Sequence, residues 1–412
     1  MTQSHVICER RYHMPASTLW VVVRDFCGKW HPAINSIEAE QDSSVRRFTV
    51  HGETTIYTER LIYFSDADRT MTYIHLQGIR DVDSYIGEII VHADSPDTCR
   101  ITWTAQVSAS GFRADEIAEG TKHIFDAGLE ALADLKNHHS RIQGSGKNAI
   151  VFTSTLHRPG PLCLFLHGIG GNRSNWDLQL YASAPLLTSA AIDLRGYGDS
   201  SLGPAPSTVD DYCDDILRVM EGLGKQRAVL CGLSYGSWIA TSFAMRFPEK
   251  VAGLVLSGGC TGMSEASVEE RETFRTSREV PLAAGKTPAD FARSIVDTIA
   301  GPQAEPELRE YLRKTMAAIP VETYRDALLC FTSPHEHFDF AKLTMPVLLV
   351  TGEHDRLASP SEIRGIARRI VAESSSPDVR FEIISKAGHV CNVEAPDEYN
   401  ARLVEFLKRI LT

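Results

Sequence analysis

The chain has 412 residues, more than one ordinary core holds, so two or three domains are expected. Hydrophobic residues make up 43% and charged residues 23%, a globular balance that excludes disorder. The net charge of −11 works against nucleic-acid binding, which needs clustered Lys and Arg, and no run reaches the ~18 apolar residues of a membrane helix.

In chain order, the opening stretch MTQSHVICERRYHMP has no apolar core of signal-peptide length. The nine cysteines are scattered and form no C-x-x-C pair, so they read as reduced, mostly buried thiols. A cytoplasmic protein is the expectation. A helix over 16–26 follows Pro15. Strands rich in β-branched and aromatic residues follow at 54–64, 70–77, 85–92 and 100–109. Turn residues at 65–68 and 94–97 separate them, and such short connections fit antiparallel neighbours. Ile117, Thr121, Ile124, Gly128, Leu132 and Leu135 recur at intervals of three and four, which predicts one long amphipathic helix. Trp30, His31, Tyr57, Tyr73, His75 and Trp103 are polar-aromatic candidates for a cavity. Alternation alone does not say which face each takes once bulges intervene.

The stretch DFCGKWHPAINSIE at 25–38, the meander after it and the closing helix together resemble the START-like, or polyketide cyclase, superfamily (SRPBCC). The resemblance spans 2–137 and rests on element order. It implies a helix-grip α+β domain over 1–137, an antiparallel sheet around a long helix, with a cavity for an apolar ligand and no fixed chemistry. Residues 138–146 are polar and Gly/Ser-rich, the composition of a flexible linker. The pair His138-His139 lacks companion ligands at a metal-site spacing and reads as part of that join.

From 147 to 412 the pattern changes. Apolar runs at 162–166, 189–193, 228–231, 251–257, 347–352 and 379–384 alternate with amphipathic segments. Most are too uniformly apolar for half-exposed strands and fit a parallel sheet covered on both faces. The run at 228–231 leads into GLSYG at 232–236 and then a helix-forming segment. This is the pattern of a strained strand–turn–helix junction that lifts the Ser234 hydroxyl clear of the sheet, with glycines where side chains would collide. The bland alternative is a serine that merely caps the helix.

Other segments weigh against that alternative. The run at 164–166 ends in His167-Gly168-Ile169-Gly170-Gly171, a turn able to aim the Ile169 N–H above Ser234, where the Tyr235 N–H also points. These two form the expected oxyanion hole, and His167 reads as a structural turn residue. Asp355 emerges just past the strand ending at Gly352, and His389 follows the last strand. The chain order is Ser234, Asp355, His389, each at a strand's carboxyl end. Glu353 is the alternative acid. Cys391 has no elbow of its own and reads as packing. His335-Glu336-His337 lacks the spacing of a helical zinc site and reads as a solvated turn. No metal and no cofactor are expected.

With these landmarks in order, 147–412 resembles the α/β-hydrolase superfamily, and the segment around His389 resembles 3-oxoadipate enol-lactonases and small esterases. The stretch DLRGYGDS at 193–200 matches a loop of that family and reads as structural. The mostly helical insert at 261–338 would form a cap over the site, with Phe291, Met316, Tyr324 and Phe331 either lining a pocket or packing within the cap. Relatives that open epoxides or remove halide carry aspartate at the elbow, so serine at 234 points to acyl transfer. The resemblance implies a serine hydrolase acting on an ester or enol-lactone of a small apolar, aromatic or carboxylate-bearing molecule. The same triad would serve a carbon–carbon bond hydrolase of a β-diketone or a cofactor-free perhydrolase, and the fold could also persist as a non-catalytic ligand sensor. The partners expected are a small-molecule substrate and an apolar ligand in the first domain, with no nucleic acid and no membrane.

Overall fold

The computed structural model describes the chain except at residues 1, 13, 15, 29, 41–43, 96–97, 135–137, 144–147, 156, 336–337 and 412. It divides into two compact units, Met1–Lys136 and Asn137–Thr412.

The first unit runs β1 (Thr2–Tyr12), α1 (Ala16–Val23), β2 (Ile34–Glu40), β3 (Val45–Val50), β4 (Ile56–Ser65), β5 (Thr70–Gln77), β6 (Val82–Ser95), β7 (Thr98–Ala109) and α2 (Arg113–Asp134). The strands form one seven-stranded sheet in the order β1-β7-β6-β5-β4-β3-β2, antiparallel throughout. Helix α2 packs on it through a face made of Ala114, Ile117, Thr121, Phe125, Leu129 and Leu132. The expected face is corrected at one step. Phe125 points inward and stacks on Trp103 at 4.0 Å, while Ile124 is 42% exposed. A ring fills the gap over Trp103 better than an aliphatic side chain, and that choice sets the rotation of the helix. Leu135 lies outside the described residues.

The second unit runs β8 (His138–Gln143), β9 (Ala149–Ser154), β10 (Leu162–Leu166), α3 (Asp177–Ser183), β11 (Thr188–Ile192), α4 (Val209–Gly222), β12 (Ala228–Leu233), α5 (Tyr235–Arg246), β13 (Val251–Ser257), α6 (Val268–Ala283), α7 (Pro288–Ile299), α8 (Pro306–Ala317), α9 (Val321–Thr332), β14 (Val347–Gly352), α10 (Pro360–Glu373), β15 (Val379–Ile384), α11 (Cys391–Glu394) and α12 (Pro396–Leu411). Its eight strands lie in the order β15-β14-β13-β12-β10-β11-β9-β8. They are parallel from β15 to β11, and β9 and β8 continue the sheet antiparallel. The expected linker is corrected here. His138–Gln143 forms the edge strand β8, because its residues find backbone partners along Ala149–Ser154. The side chains of His138 and His139 lie outside the described residues.

Alternation along the central strands explains their uniform apolarity. Leu162, Leu164 and Leu166 enter one core while Cys163 and Phe165 enter the other. Val347 and Leu349 divide from Leu348 and Val350 in the same way. Both faces of the sheet are therefore buried. The strand order reverses between β12, β10 and β11, which opens a crevice at their carboxyl ends. The helices α6 to α9 are the insert between β13 and β14.

Among its described residues the first unit carries one buried ion pair. Arg46 on β3 faces Glu59 directly across on β4, with Nη2 2.6 Å from Oε2, and their side chains are 11% and 10% exposed. The guanidinium also donates to the Phe26 carbonyl at 2.8 Å and lies over the Phe26 ring at 4.3 Å. Removing one partner strands the other charge in an apolar environment. Glu59→Ala should lower the local stability of this unit by about 3–5 kcal/mol, read as faster amide hydrogen exchange in β3 and β4 of the full chain. Replacing both partners, Arg46→Leu with Glu59→Leu, should recover most of the loss.

Candidate active site

β12 ends at Leu233 and α5 starts at Tyr235, so Ser234 alone spans the junction. Its φ of 53° and ψ of −111° are unusual for a residue with a side chain, and such a conformation costs about 1–3 kcal/mol. Two glycines permit it. A Cβ on Gly232 would overlap the Gly236 carbonyl, and one on Gly236 would overlap the Leu166 carbonyl at the end of β10. The turn is braced by the Ser234 N–H donating to Ser257 O at 2.7 Å and by Ser234 O accepting from Ser237 and Trp238. The Ser234 side chain makes no capping hydrogen bond to α5, which disfavours the helix-cap reading. It lines a cavity of about 150 Å³ instead.

His389 lines the same cavity. Its Nδ1 lies 2.9 Å from Asp355 Oδ2, with both residues buried. Asp355 is fully bonded. Oδ1 accepts the Leu357 and Ala358 N–H groups at 2.8 and 2.9 Å, and Oδ2 also accepts the Thr351 hydroxyl at 3.2 Å. Burial by itself would raise this carboxyl. The hydrogen bond from His389, the imidazole charge and the two N–H donors outweigh burial and hold it below its ordinary range. The alternative acid, Glu353, is exposed and accepts the Lys386 N–H at 2.9 Å. Cys391 is buried, and burial pushes its thiol up, away from the thiolate a nucleophile needs.

Gly258 is a residue that the sequence reading passed over. At φ 58° it ends β13, and a Cβ there would lie 2.9 Å from His389 Nδ1. The pair Gly258-Gly259 right after a buried strand was the available signal. The His389 loop is also tied to the insert. His389 N–H donates to Ile299 O at 2.7 Å, and Glu394 accepts from Gly388 at 3.0 Å and from Gly301 at 2.6 Å.

The Gly168–Ile169 turn runs beside the serine, since a Cβ on Gly168 would lie 3.6 Å from Ser234 Cβ. The Gly168 carbonyl is held by His167 Nδ1 at 2.8 Å and by the Gly171 N–H at 3.0 Å. In a trans peptide the C=O and N–H point opposite ways, so this clamp also orients the Ile169 N–H. The Ile169 carbonyl accepts the Tyr197 hydroxyl at 3.0 Å. Tyr235 opens α5, so its N–H has no carbonyl four residues back. His167 Nε2 accepts the Leu194 N–H at 3.0 Å, which leaves the ring neutral with its proton on Nδ1. Burial pushes its pKa from the ordinary 6.5 to about 4. The loop at 193–200 is structural. Buried Asp193 binds Arg173 and accepts the Arg173 and Asp199 N–H groups, and Arg195 donates to Asp215 at 2.9 Å.

Met316 and Tyr324 of the insert line the cavity, together with Ile295, Val296 and Leu312. Phe291 packs on Tyr324 at 5.6 Å, and Phe331 packs edge-on to Tyr235 and Trp238. Arg278 also lines the cavity and had not been singled out. Glu336 and His337 lie outside the described residues. Among the described residues there is no cluster of three metal-ligating side chains, and no helix is long and apolar enough to cross a membrane.

The first unit encloses its own cavity of about 390 Å³, and all six polar-aromatic candidates line it. His31 and His75 are both held below their ordinary range by burial. His31 Nε2 donates to Ile124 O at 2.8 Å, and Trp103 Nε1 donates to the Tyr73 hydroxyl at 3.0 Å.

Residues 161–396 match the family model of the alpha/beta hydrolase fold, and residues 6–135 match that of polyketide cyclase / dehydrase and lipid transport. The chain is 23% identical over 250 residues to 3-oxoadipate enol-lactonase 2 of Acinetobacter baylyi, covering 60% of this chain and 89% of that protein. It is 26% identical over 340 residues to epoxide hydrolase 3 of Xenopus tropicalis, covering 76% and 87%. A malate-bound thermophilic esterase from Thermogutta terrifontis superposes with a TM-score of 0.59 at 25% identity, over 67% of this chain and 100% of that one.

The depressed pKa of His167 has a signed consequence. Between 6.5 and about 4 the unfolded chain binds a proton that the folded chain refuses, so stability falls as pH drops through that window. Denaturant midpoints at pH 7.5 and 5 should show a loss of roughly 1–3 kcal/mol for the second unit. His167→Gln, which still donates and accepts, should show a smaller difference.

Proposed function

Because the chain belongs to the α/β-hydrolase family, we propose that it is a serine hydrolase cleaving an ester or enol-lactone of a small, apolar or aromatic molecule through an acyl-enzyme. The observation that carries this reading is the strained, uncapped Ser234, which shares one cavity with His389 while the far ring nitrogen of His389 is bound to Asp355. With Nδ1 engaged, Nε2 is the nitrogen free to take the Ser234 proton. Serine Oγ adds to the carbonyl carbon, and the developing oxyanion is received by the Ile169 and Tyr235 N–H groups. Each such donor contributes roughly 10²–10³ in rate. His389 then protonates the leaving oxygen, the carbon–oxygen bond breaks, and an acyl-Ser234 remains. Water, deprotonated by His389, adds to the acyl carbon and releases the acid and the free serine. Asp355 stays ionised and stabilises the imidazolium in both halves.

The enol-lactonase and esterase relatives support carbonyl chemistry of this kind. The epoxide hydrolase relative is no obstacle, because position 234 is serine where epoxide-opening members carry aspartate. The apolar wall of Ile295, Val296, Leu312 and Met316 suits an apolar or aromatic group. For the first unit we infer an apolar or aromatic ligand in the cavity around Trp30, Tyr57 and Trp103.

Fluorophosphonate should add one label to the wild-type chain and none to Ser234→Ala, read by intact mass. Asp355→Asn and His389→Gln should each lower kcat on a 4-nitrophenyl ester by about 10⁴-fold with little change in KM. Absence of label on folded wild type would count against the acyl-enzyme. In the first unit, Gly120 lines the cavity and a Cβ there meets nothing within 4 Å. Gly120→Trp should therefore block the quenching of tryptophan fluorescence by 1-naphthol while leaving Tm within a few degrees of wild type.

A further inference from the structure

The hydrogen bonds around the Ser234 cavity leave one acceptor over. Asn392 of α11 stands three residues after His389 and lines the same cavity. The residue is fully buried, and its Oδ1 has no hydrogen-bond partner among the described residues. The amide cannot turn over to cure this. Nδ2 donates to the Asn175 carbonyl at 2.8 Å and to Gln179 Oε1 at 3.2 Å. Gln179 is fixed in turn, since its Nε2 donates to the Asn392 carbonyl at 2.9 Å and to Asn400 Oδ1 at 2.8 Å. Asn400 Nδ2 donates to the Leu178 carbonyl at 3.4 Å. A backbone carbonyl only accepts, so each amide of this network has one possible orientation.

A buried acceptor without a donor is unfavourable, and one in the wall of a reactive cavity calls for a molecule with an O–H or N–H. The place of Asn392 favours water. The residue sits one turn from His389 and is tied to α3 and the turn before it, not to the insert over the cavity. Its acceptor therefore keeps a constant position relative to the imidazole whatever fills the apolar walls. A water held by two acceptors, His389 Nε2 and Asn392 Oδ1, directs both hydrogens at them. Its lone pairs are then left to face the acyl carbon.

We propose that Asn392 is a positioning residue for the water that hydrolyses the acyl-enzyme, accepting the hydrogen that His389 does not take. This rests on the acyl-transfer reading and adds a role to it. In the step, the water oxygen adds to the acyl carbon and one proton passes to His389 Nε2. The second hydrogen stays on the oxygen, bonded to Asn392 Oδ1. As the tetrahedral centre collapses, the bond from Ser234 Oγ to carbon breaks and Oγ recovers the proton from His389. Asn392 gains and loses no proton. It has no part in acylation, where the serine hydrogen goes to His389 and no water enters.

Methanol separates this role from a structural one, because its single O–H reaches His389 and leaves nothing for Asn392. The acetyl-enzyme formed from 4-nitrophenyl acetate is partitioned between acetate and methyl acetate in aqueous methanol. Asn392→Leu keeps the branched shape and removes the acceptor. It should shift the product ratio toward methyl acetate by about 10-fold or more, and acetyl-Ser234 should accumulate by intact mass. The ratio is set within each acyl-enzyme molecule, so a partly unfolded preparation does not move it. An unchanged ratio would sink the proposal, whatever the overall rate.

A second readout needs neither turnover nor that variant. In a crystal of Ser234→Ala, where His389 Nε2 has no serine partner, an ordered water should bridge Asn392 Oδ1 and His389 Nε2. Such a water upholds the water site even if no ester is cleaved, in which case only the acyl-transfer reading fails. An Oδ1 bonded to a protein donor, or without a bridging water, overturns the site itself.

Discussion

The turn at Ser234 can exist only because the residues two positions before and two positions after it have no side chains. Three backbone segments meet there: the end of β12, the first turn of α5 and the end of β10. A Cβ on Gly232 or Gly236 would lie inside a neighbouring peptide group. This contact is backbone against backbone, so no rotamer change relieves it. The strained φ of Ser234 is held by that crowding and by the Ser234–Ser257 hydrogen bond. Everything else in the second unit is arranged around this fixed point. The parallel order of β10, β12, β13 and β14 delivers the Gly168 turn, Ser234, Gly258 and Asp355 to the same edge of the sheet.

A second layer of hydrogen bonds then fixes groups that would otherwise turn freely. The peptide carrying the Ile169 N–H is clamped through its carbonyl by a neutral buried histidine, and the next carbonyl by Tyr197. Asp355 spends one oxygen on two backbone N–H groups and the other on His389 and Thr351. Glu394 joins the loop before His389 to the end of α7. The insert is thus hydrogen-bonded to the loop that carries the imidazole. Placement of the insert and placement of the imidazole are coupled through the same few bonds.

The first unit follows another plan. Its sheet and long helix enclose a cavity whose wall contains an ion pair, three tyrosines, two histidines and two tryptophans. Polar groups this deep must be paired among themselves, and they are: Arg46 with Glu59, Trp103 with Tyr73, His31 with the backbone of α2. The result is a polar-aromatic chamber rather than a purely apolar one. Its chemistry is unlike that of the Ser234 cavity, where one cation stands on an apolar wall.

By itself the sequence determined the local features whose cause is local. Uniform apolar runs demanded a sheet buried on both sides, the spacing around Ser234 demanded a glycine-flanked turn, and the chain order of Ser234, Asp355 and His389 put each at a strand's end. Steric rules within a few residues suffice for all of these. Tertiary structure decided what depends on partners far along the chain. It turned α2 so that Phe125, not Ile124, meets Trp103, and it drew 138–143 into the sheet as an edge strand despite a linker-like composition. It sent Glu353 outward and Asp355 inward, two residues apart on one loop. It also brought Arg278 to the cavity wall while the acids nearest to it in the chain paired elsewhere. Which way a side chain faces on a helix or loop depends on the energy of contacts between distant segments, and no short window of sequence contains both sides of such a contact.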